Sequence, residues 1–147
     1  MTPMETRILE AFELRYDGTE GGKQTFTGRL VPYDKWTQIG DRFEERMSPG
    51  VFKKSTQEAA AHLPLMVQHE HQALPVGSVV EWDDREDGLY GRWELADTAD
   101  ARSIGGLIRG GHVSGLSAGF IPVRSEWAFA DQPGEMDQVT RLEARLA

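Results

Sequence analysis

The sequence predicts a mainly β protein with helices, an α+β chain whose antiparallel strands form a barrel or a strongly curled sheet. Strand-like runs separated by turn residues fill most of the chain. They are clearest over residues 24–33, where Phe26, Gly28 and Leu30 alternate onto one side. Only two segments carry helix-start signals, Ser48-Pro49 and Thr98. There is no internal repeat, and 147 residues suffice for one domain with a real core but not for two, so residues 1–147 read as a single domain.

The elements follow in order. Residues 7–16 form a first strand that sets Ile8, Phe12 and Leu14 among charges, and residues 18–22 turn it into the strand at 24–33. Together they predict an opening antiparallel hairpin. Residues 36–47 are a polar loop with one short strand at 41–46. Ser48 and Pro49 serve as N-cap and first residue of a helix reaching residue 61. Residues 63–69 are a short apolar run, read as a buried strand. Strands at 76–82 and 88–95 are joined by a turn drawn from Asp83, Asp84 and Asp87-Gly88. Thr98 caps a helix over 99–109, which Gly105 and Gly106 each weaken by about 1 kcal/mol and Gly110-Gly111 ends. A strand at 113–123 carries Ser117, and a hairpin at 131–134 leads to the last strand, 138–146.

Composition narrows the function. Apolar residues make up 39% and charged residues 27%, as in soluble globular proteins. The net charge, 16 − 24 = −8 with no Lys/Arg cluster, argues against nucleic-acid binding. No apolar run reaches about 18 residues, so no transmembrane helix is expected. Residues 1–13 carry charges throughout and lack a signal-peptide core. The absence of cysteine removes disulfides, thiol nucleophiles and thiolate metal sites, and fits an intracellular setting.

The most informative motif is Gly115-Leu116-Ser117-Ala118-Gly119, a G-x-S-x-G pattern that exposes a serine on a glycine-flanked backbone. All four histidines, His62, His69, His71 and His112, precede it. An α/β-hydrolase triad needs the order Ser, acid, His and is therefore excluded. A base for Ser117 must come from upstream, and a histidine at the end of one strand can face a serine on its neighbour. The same motif also reads as a small residue packed in a glycine-rich strand. His69 and His71 form an H-x-H pair whose side chains share a face if the segment is a strand. That pair is either two of the ligands of a metal, with Asp or Glu completing the set, or two water-exposed residues at a strand end. The acidic run 83–87 reads as a solvated turn rather than a carboxylate pair, Asp97 and Asp100 as helix-start charges, and the four tryptophans, on separate elements, as packing.

Six segments then occur in a telling order. They are FTGRLVPY at 26–33, FEERMSPGVF at 43–52, PLMVQHE at 64–70, Leu74-Pro75-Val76-Gly77, Asp87-Gly88-Leu89, and IRGGHVSGLSAGF at 108–120. They resemble the prohead (capsid maturation) proteases of tailed bacteriophages, a serine peptidase family related to the herpesvirus assemblins. The matching family motifs are an opening strand, "E-x-F-x-P-G-A-F", "N-H-D", "P-I-G", "D-G-L" and "G-x-x-x-G-L-S-I-G-F". The resemblance implies an assemblin-like antiparallel β-barrel flanked by helices, with Ser117 as nucleophile and His69 as general base; His71 has no counterpart and becomes a neighbour. The family's acid-bearing "L-x-E-V-S-L-V" motif begins where this chain stops, so the acid is either Glu143 or a residue beyond Ala147, and the domain is expected to be truncated at its C-terminal end.

The resemblance further implies an endopeptidase of scaffold and major-capsid-protein propeptides that also processes itself, inside the immature capsid in the bacterial host cytoplasm. It implies no metal and no organic cofactor and allows a homodimer, while charge and the lack of a long apolar run speak against nucleic acid or membrane as partner. Two rival functions stand beside it: a non-catalytic capsid- or scaffold-associated β-domain, and a metal-dependent hydrolase using His69 and His71.

Overall fold

The structure is a computed structural model that describes residues 4–8, 14–20, 22–58, 63–66, 74–113 and 116–147. Among the described residues ten strands and two helices follow one another as β1 (Glu5–Ile8), β2 (Arg15–Glu20), β3 (Lys23–Pro32), β4 (Thr37–Ile39), β5 (Phe43–Met47), α1 (Lys53–Gln57), β6 (Pro64–Leu65), β7 (Gly77–Arg85), β8 (Gly88–Leu95), α2 (Ala99–Arg109), β9 (Ser117–Ala128) and β10 (Asp137–Leu146). The described part of the chain is thus mostly β with two helices, as its patterning predicts.

The described strands form two five-stranded sheets, ordered β1-β9-β10-β5-β4 and β2-β3-β8-β7-β6, rather than one closed barrel. The pairings are antiparallel except β5 with β10, which run parallel. A parallel pair cannot be closed by a tight hairpin, and β6, β7 and β8 of the second sheet are threaded between β5 and β10 in sequence.

Both sheets bury side chains in one core. Phe26 stacks on Trp93 at 5.5 Å within the second sheet, and Phe52 meets the edge of Phe120 at 6.2 Å beside the first. Phe26, Leu30, Leu89 and Trp93 are buried, as period-two alternation along β3 and β8 requires. The α1 region is tied to β10 by two backbone donors. The Ala144 N–H reaches the Val51 carbonyl at 2.9 Å, and the Leu146 N–H reaches Ser55 Oγ at 3.0 Å.

Four expectations from sequence are corrected. The first strand is not one arm of a hairpin: β1 joins β9 in one sheet and β2 joins β3 in the other. Gly18 lies within β2 at a bulge, with φ +111°, and the reversal comes later, near Gly22 at φ +84°. The helix expected from Ser48 starts only at Lys53. Gly50 sits at φ +83°, outside helical geometry, and residues 48–52 form successive turns that bury Val51 and Phe52. Asp83 and Asp84 belong to β7, and only Glu86 and Asp87 make the turn.

The second helix matches its predicted bounds, with Thr98 Oγ1 accepting from the Ala101 N–H at 3.2 Å. Its buried Gly105 has a packing reason: the Gln24 side chain of β3 fills the space a Cβ would need. No helix among the described residues is long and apolar enough to cross a membrane.

Candidate active site

Ser117 is the first residue of β9 and is half-buried. Its hydroxyl donates to the Arg7 carbonyl oxygen at 3.1 Å. That bond follows from register, because β1 lies antiparallel along the outer edge of β9 with Ile8 opposite Ser117 and Arg7 opposite Ala118. Gly119 keeps the other edge close: a Cβ there would lie 2.9 Å from the Ala147 carbonyl oxygen, and the Ala147 N–H donates to the Gly119 carbonyl at 2.9 Å. The second glycine of the motif therefore serves strand approach rather than a sharp turn; the first, Gly115, lies outside the described residues.

A cavity of about 430 Å³ opens beside Ser117. Its walls are largely apolar, and they include Leu63, Pro64, Leu65 and Met66 from and around β6, and Ala147 at the end of β10. His62, His69 and His71 lie outside the described residues, so the structure brings no histidine to Ser117 on view. The chain segment that leads to His69 nevertheless runs along the Ser117 cavity as far as Met66. His112 lies in the turn after α2 and is exposed. Among the described residues no group of three His, Asp or Glu side chains is arranged to hold a metal.

Glu143 sits in β10 at an irregularity in its pairing with β9, opposite Arg124. Arg124 is seven residues further along β9 than Ser117, a path of about 23 Å at the usual strand rise. Glu143 is half-exposed and is not among the residues lining the Ser117 cavity.

A larger cavity, about 630 Å³, lies against the same strand and shares Ala118 with the first. Sequence reading passed over its central residue. Glu45 of β5 is 3% exposed and accepts from three guanidinium nitrogens. Arg7 approaches it with two, Nε to Oε1 at 2.6 Å and Nη2 to Oε2 at 2.9 Å, and Arg141 of β10 donates Nε to Oε2 at 2.9 Å. Burial alone would lower the Arg7 pKa, but the hydrogen bonds and charge of Glu45, with Glu5 adding to them, outweigh it and raise the value. Elsewhere Tyr33, buried and donating to Asp84 Oδ1 at 2.6 Å, has its pKa raised, first by burial and then by that carboxylate. The signal for Glu45 was present in the sequence: at two-residue spacing it shares a strand face with Phe43 and Met47, both core residues.

Residues 10–145 match the family described as caudovirus prohead serine protease, and the chain belongs to that family. Among curated proteins, it is 25% identical over 128 residues to the prohead protease of Enterobacteria phage HK97. That match takes in 84% of this chain and 53% of the relative, so the chain spans about half the relative's length. Among solved structures, the bacteriophage T4 capsid assembly protease superposes with a TM-score of 0.54 at 11% identity, covering 97% of this chain and 94% of that one. At that identity the likeness concerns the fold.

Proposed function

We propose that the chain is a serine endopeptidase that cleaves propeptide segments of the major capsid protein and scaffold during phage capsid maturation, and processes itself, inside the immature capsid in the host cell. Family membership supports the protease class. One observation carries the serine assignment further: the Ser117 hydroxyl lies 3.1 Å from the carbonyl oxygen of a peptide strand held on the β9 edge. A substrate segment added as a strand at that edge meets the same hydroxyl. An assemblin-like relationship of the fold belongs to the same reading, supported by two sheets that share one core.

In this reading His69 removes the proton of Ser117 Oγ as the oxygen attacks the scissile carbonyl carbon. The C–N bond then breaks, the imidazolium returns its proton to the leaving amine, and water hydrolyses the acyl-enzyme. His71 is a neighbour without a role in proton transfer. Glu143, about 23 Å along the strand from Ser117, is left outside the triad, because an acid must contact the base that itself contacts the serine. Self-processing is supported by β1, a segment of the same chain that already lies across the nucleophile.

The test is Ser117-dependent chemistry. The chain is treated with a fluorophosphonate probe and, separately, with capsid propeptide peptides. Labelling at Ser117 and cleavage that both vanish in Ser117→Ala are expected. Cleavage that persists in the variant would falsify the assignment, and loss of cleavage on chelation without any labelling would favour the metal-dependent reading.

A further inference from the structure

We infer that Glu45 is the specificity determinant of the site and selects an arginine or lysine immediately before the scissile bond. The inference rests on the serine-protease reading of Ser117. It starts from β1, which shows how an extended peptide sits on the β9 edge. In strand addition, backbone pairing supplies affinity and alternate side chains, entering pockets, supply discrimination. On this edge the carbonyl presented to Ser117 is that of Arg7. The side chain of the same residue enters the larger cavity and ends on buried Glu45. Whichever residue offers its carbonyl to the nucleophile in this register therefore offers its side chain to Glu45.

The chemistry of that contact is selective. The carboxylate meets the Arg7 guanidinium as a fork, which favours arginine over the point charge of lysine and either over a neutral residue. The planar guanidinium is also served, since its carbon lies 5.1 Å from the centre of the Phe120 ring. Arg141 shares Glu45, so two cations meet one carboxylate. The second negative charge comes from the peptide itself: Glu5, two residues before Arg7, contacts Arg7 Nη1 at 3.2 Å and Arg42 at 3.9 Å. An acidic residue two places ahead of the basic one thus offsets part of the positive charge of the group. An acidic residue in the basic position would place two carboxylates together in a buried site and is excluded.

The covalent step is ordinary hydrolysis. Ser117 Oγ bonds to the carbonyl carbon of the basic residue, the bond to the next nitrogen breaks, and that nitrogen leaves as an amine carrying a proton. Water then restores the serine and releases a C-terminal Arg or Lys carboxylate. For this chain the predicted self-cleavage falls between Arg7 and Ile8.

The test uses the full chain and ten-residue peptides with the sequence of residues 3–12, carrying Arg, Lys, Gln, Ala or Glu at the position of Arg7. Cleavage is located by mass spectrometry and kcat/KM is compared across the series. Arg and Lys peptides should exceed the Gln and Ala peptides by about tenfold or more, with the Glu peptide lowest. In Glu45→Gln the Arg-to-Gln ratio should collapse to about threefold or less. The substrate series on the unaltered chain decides the matter even if that variant fails to fold. Ser117-dependent cleavage with no preference at this position, or a preference that survives Glu45→Gln in a folded variant, overturns the role of Glu45 and leaves the protease reading intact. Absence of both cleavage and Ser117 labelling with every substrate overturns the two together.

Discussion

Replacing Ser117 with alanine separates chemistry from structure, because among the described residues this hydroxyl makes one hydrogen bond. Its bond to the Arg7 carbonyl, 3.1 Å long, is between a half-buried side chain and an edge strand. A hydrogen bond of this kind contributes about 1 kcal/mol net, since water replaces much of what is lost at an accessible edge. Serine and alanine differ little in volume, so no cavity term is added. For a domain of this size that loss lowers Tm by about 2–4 °C. The effect on turnover is of another order. Removing a triad nucleophile costs about six orders of magnitude in kcat. Thermal denaturation and propeptide cleavage, run on the same preparations, should therefore diverge: a nearly unchanged melt beside no detectable turnover. Amide exchange at residues 5–8 should also quicken, because β1 has lost one of its ties. Cleavage within tenfold of the unaltered chain would refute the nucleophile, and a Tm drop well beyond 10 °C would show that the hydroxyl is structural.

The remaining expectations are narrower. His69→Ala should abolish cleavage, while His71→Ala should cost about tenfold or less, as a neighbour does rather than a base; the reverse order in a paired assay would move the base to His71. Glu143→Gln should leave kcat/KM within about threefold, whereas removing a triad acid costs about 10⁴; a loss on that scale would mean that β10 repositions Glu143 in the working enzyme. Exhaustive chelation with EDTA should leave cleavage unaltered, and a loss restored by zinc would favour a metal site at His69 and His71. Thr98→Ala should lower stability by about 1 kcal/mol in chemical denaturation by removing the cap on α2, with cleavage retained; an unchanged midpoint would mean that water caps Ala101 equally well.

Local signals in the sequence specify local structure well. The bounds of β8 and α2 agree with their patterning because alternation, an Asp-Gly turn and a Thr cap act within a few residues. Gly50 is a different case: Ser-Pro is a sound helix start, but a left-handed glycine two residues later outweighs it. Which sheet a strand joins depends on partners far away in sequence, and alternation says nothing about them. That is why β1 and β2 read as one strand, and why the parallel pairing of β5 with β10 could not be seen. The site divides along the same line. Ser117 is legible as a motif, and β6 leads from Leu65 toward His69. Glu45, by contrast, shows in sequence only its phase with Phe43 and Met47; its partners Arg7 and Arg141 are 38 and 96 residues away and leave no local signal.

The buried charge also bears on how an edge can be both occupied and available. Along its inner edge β9 pairs with β10 over most of its length, and on the outer edge, among the described residues, β1 covers Ser117 to Phe120. A four-residue edge strand gains little from its backbone bonds once the entropy of ordering it is counted. The Arg7–Glu45 contact is what fastens it: Glu45 is buried and Arg7 partly so, and the cost of about 3–5 kcal/mol for breaking a fully buried ion pair is the upper bound here. Glu45 retains Arg141 when Arg7 leaves, which moderates that cost without abolishing it. A neutral peptide replacing β1 would forfeit the contact entirely, whereas a peptide carrying its own arginine would exchange one fork for another at nearly equal free energy. Release of β1 and recognition of substrate then become the same exchange. It follows that the fastening of the N-terminal strand and the preference for a basic residue should weaken together in Glu45→Gln, and not separately.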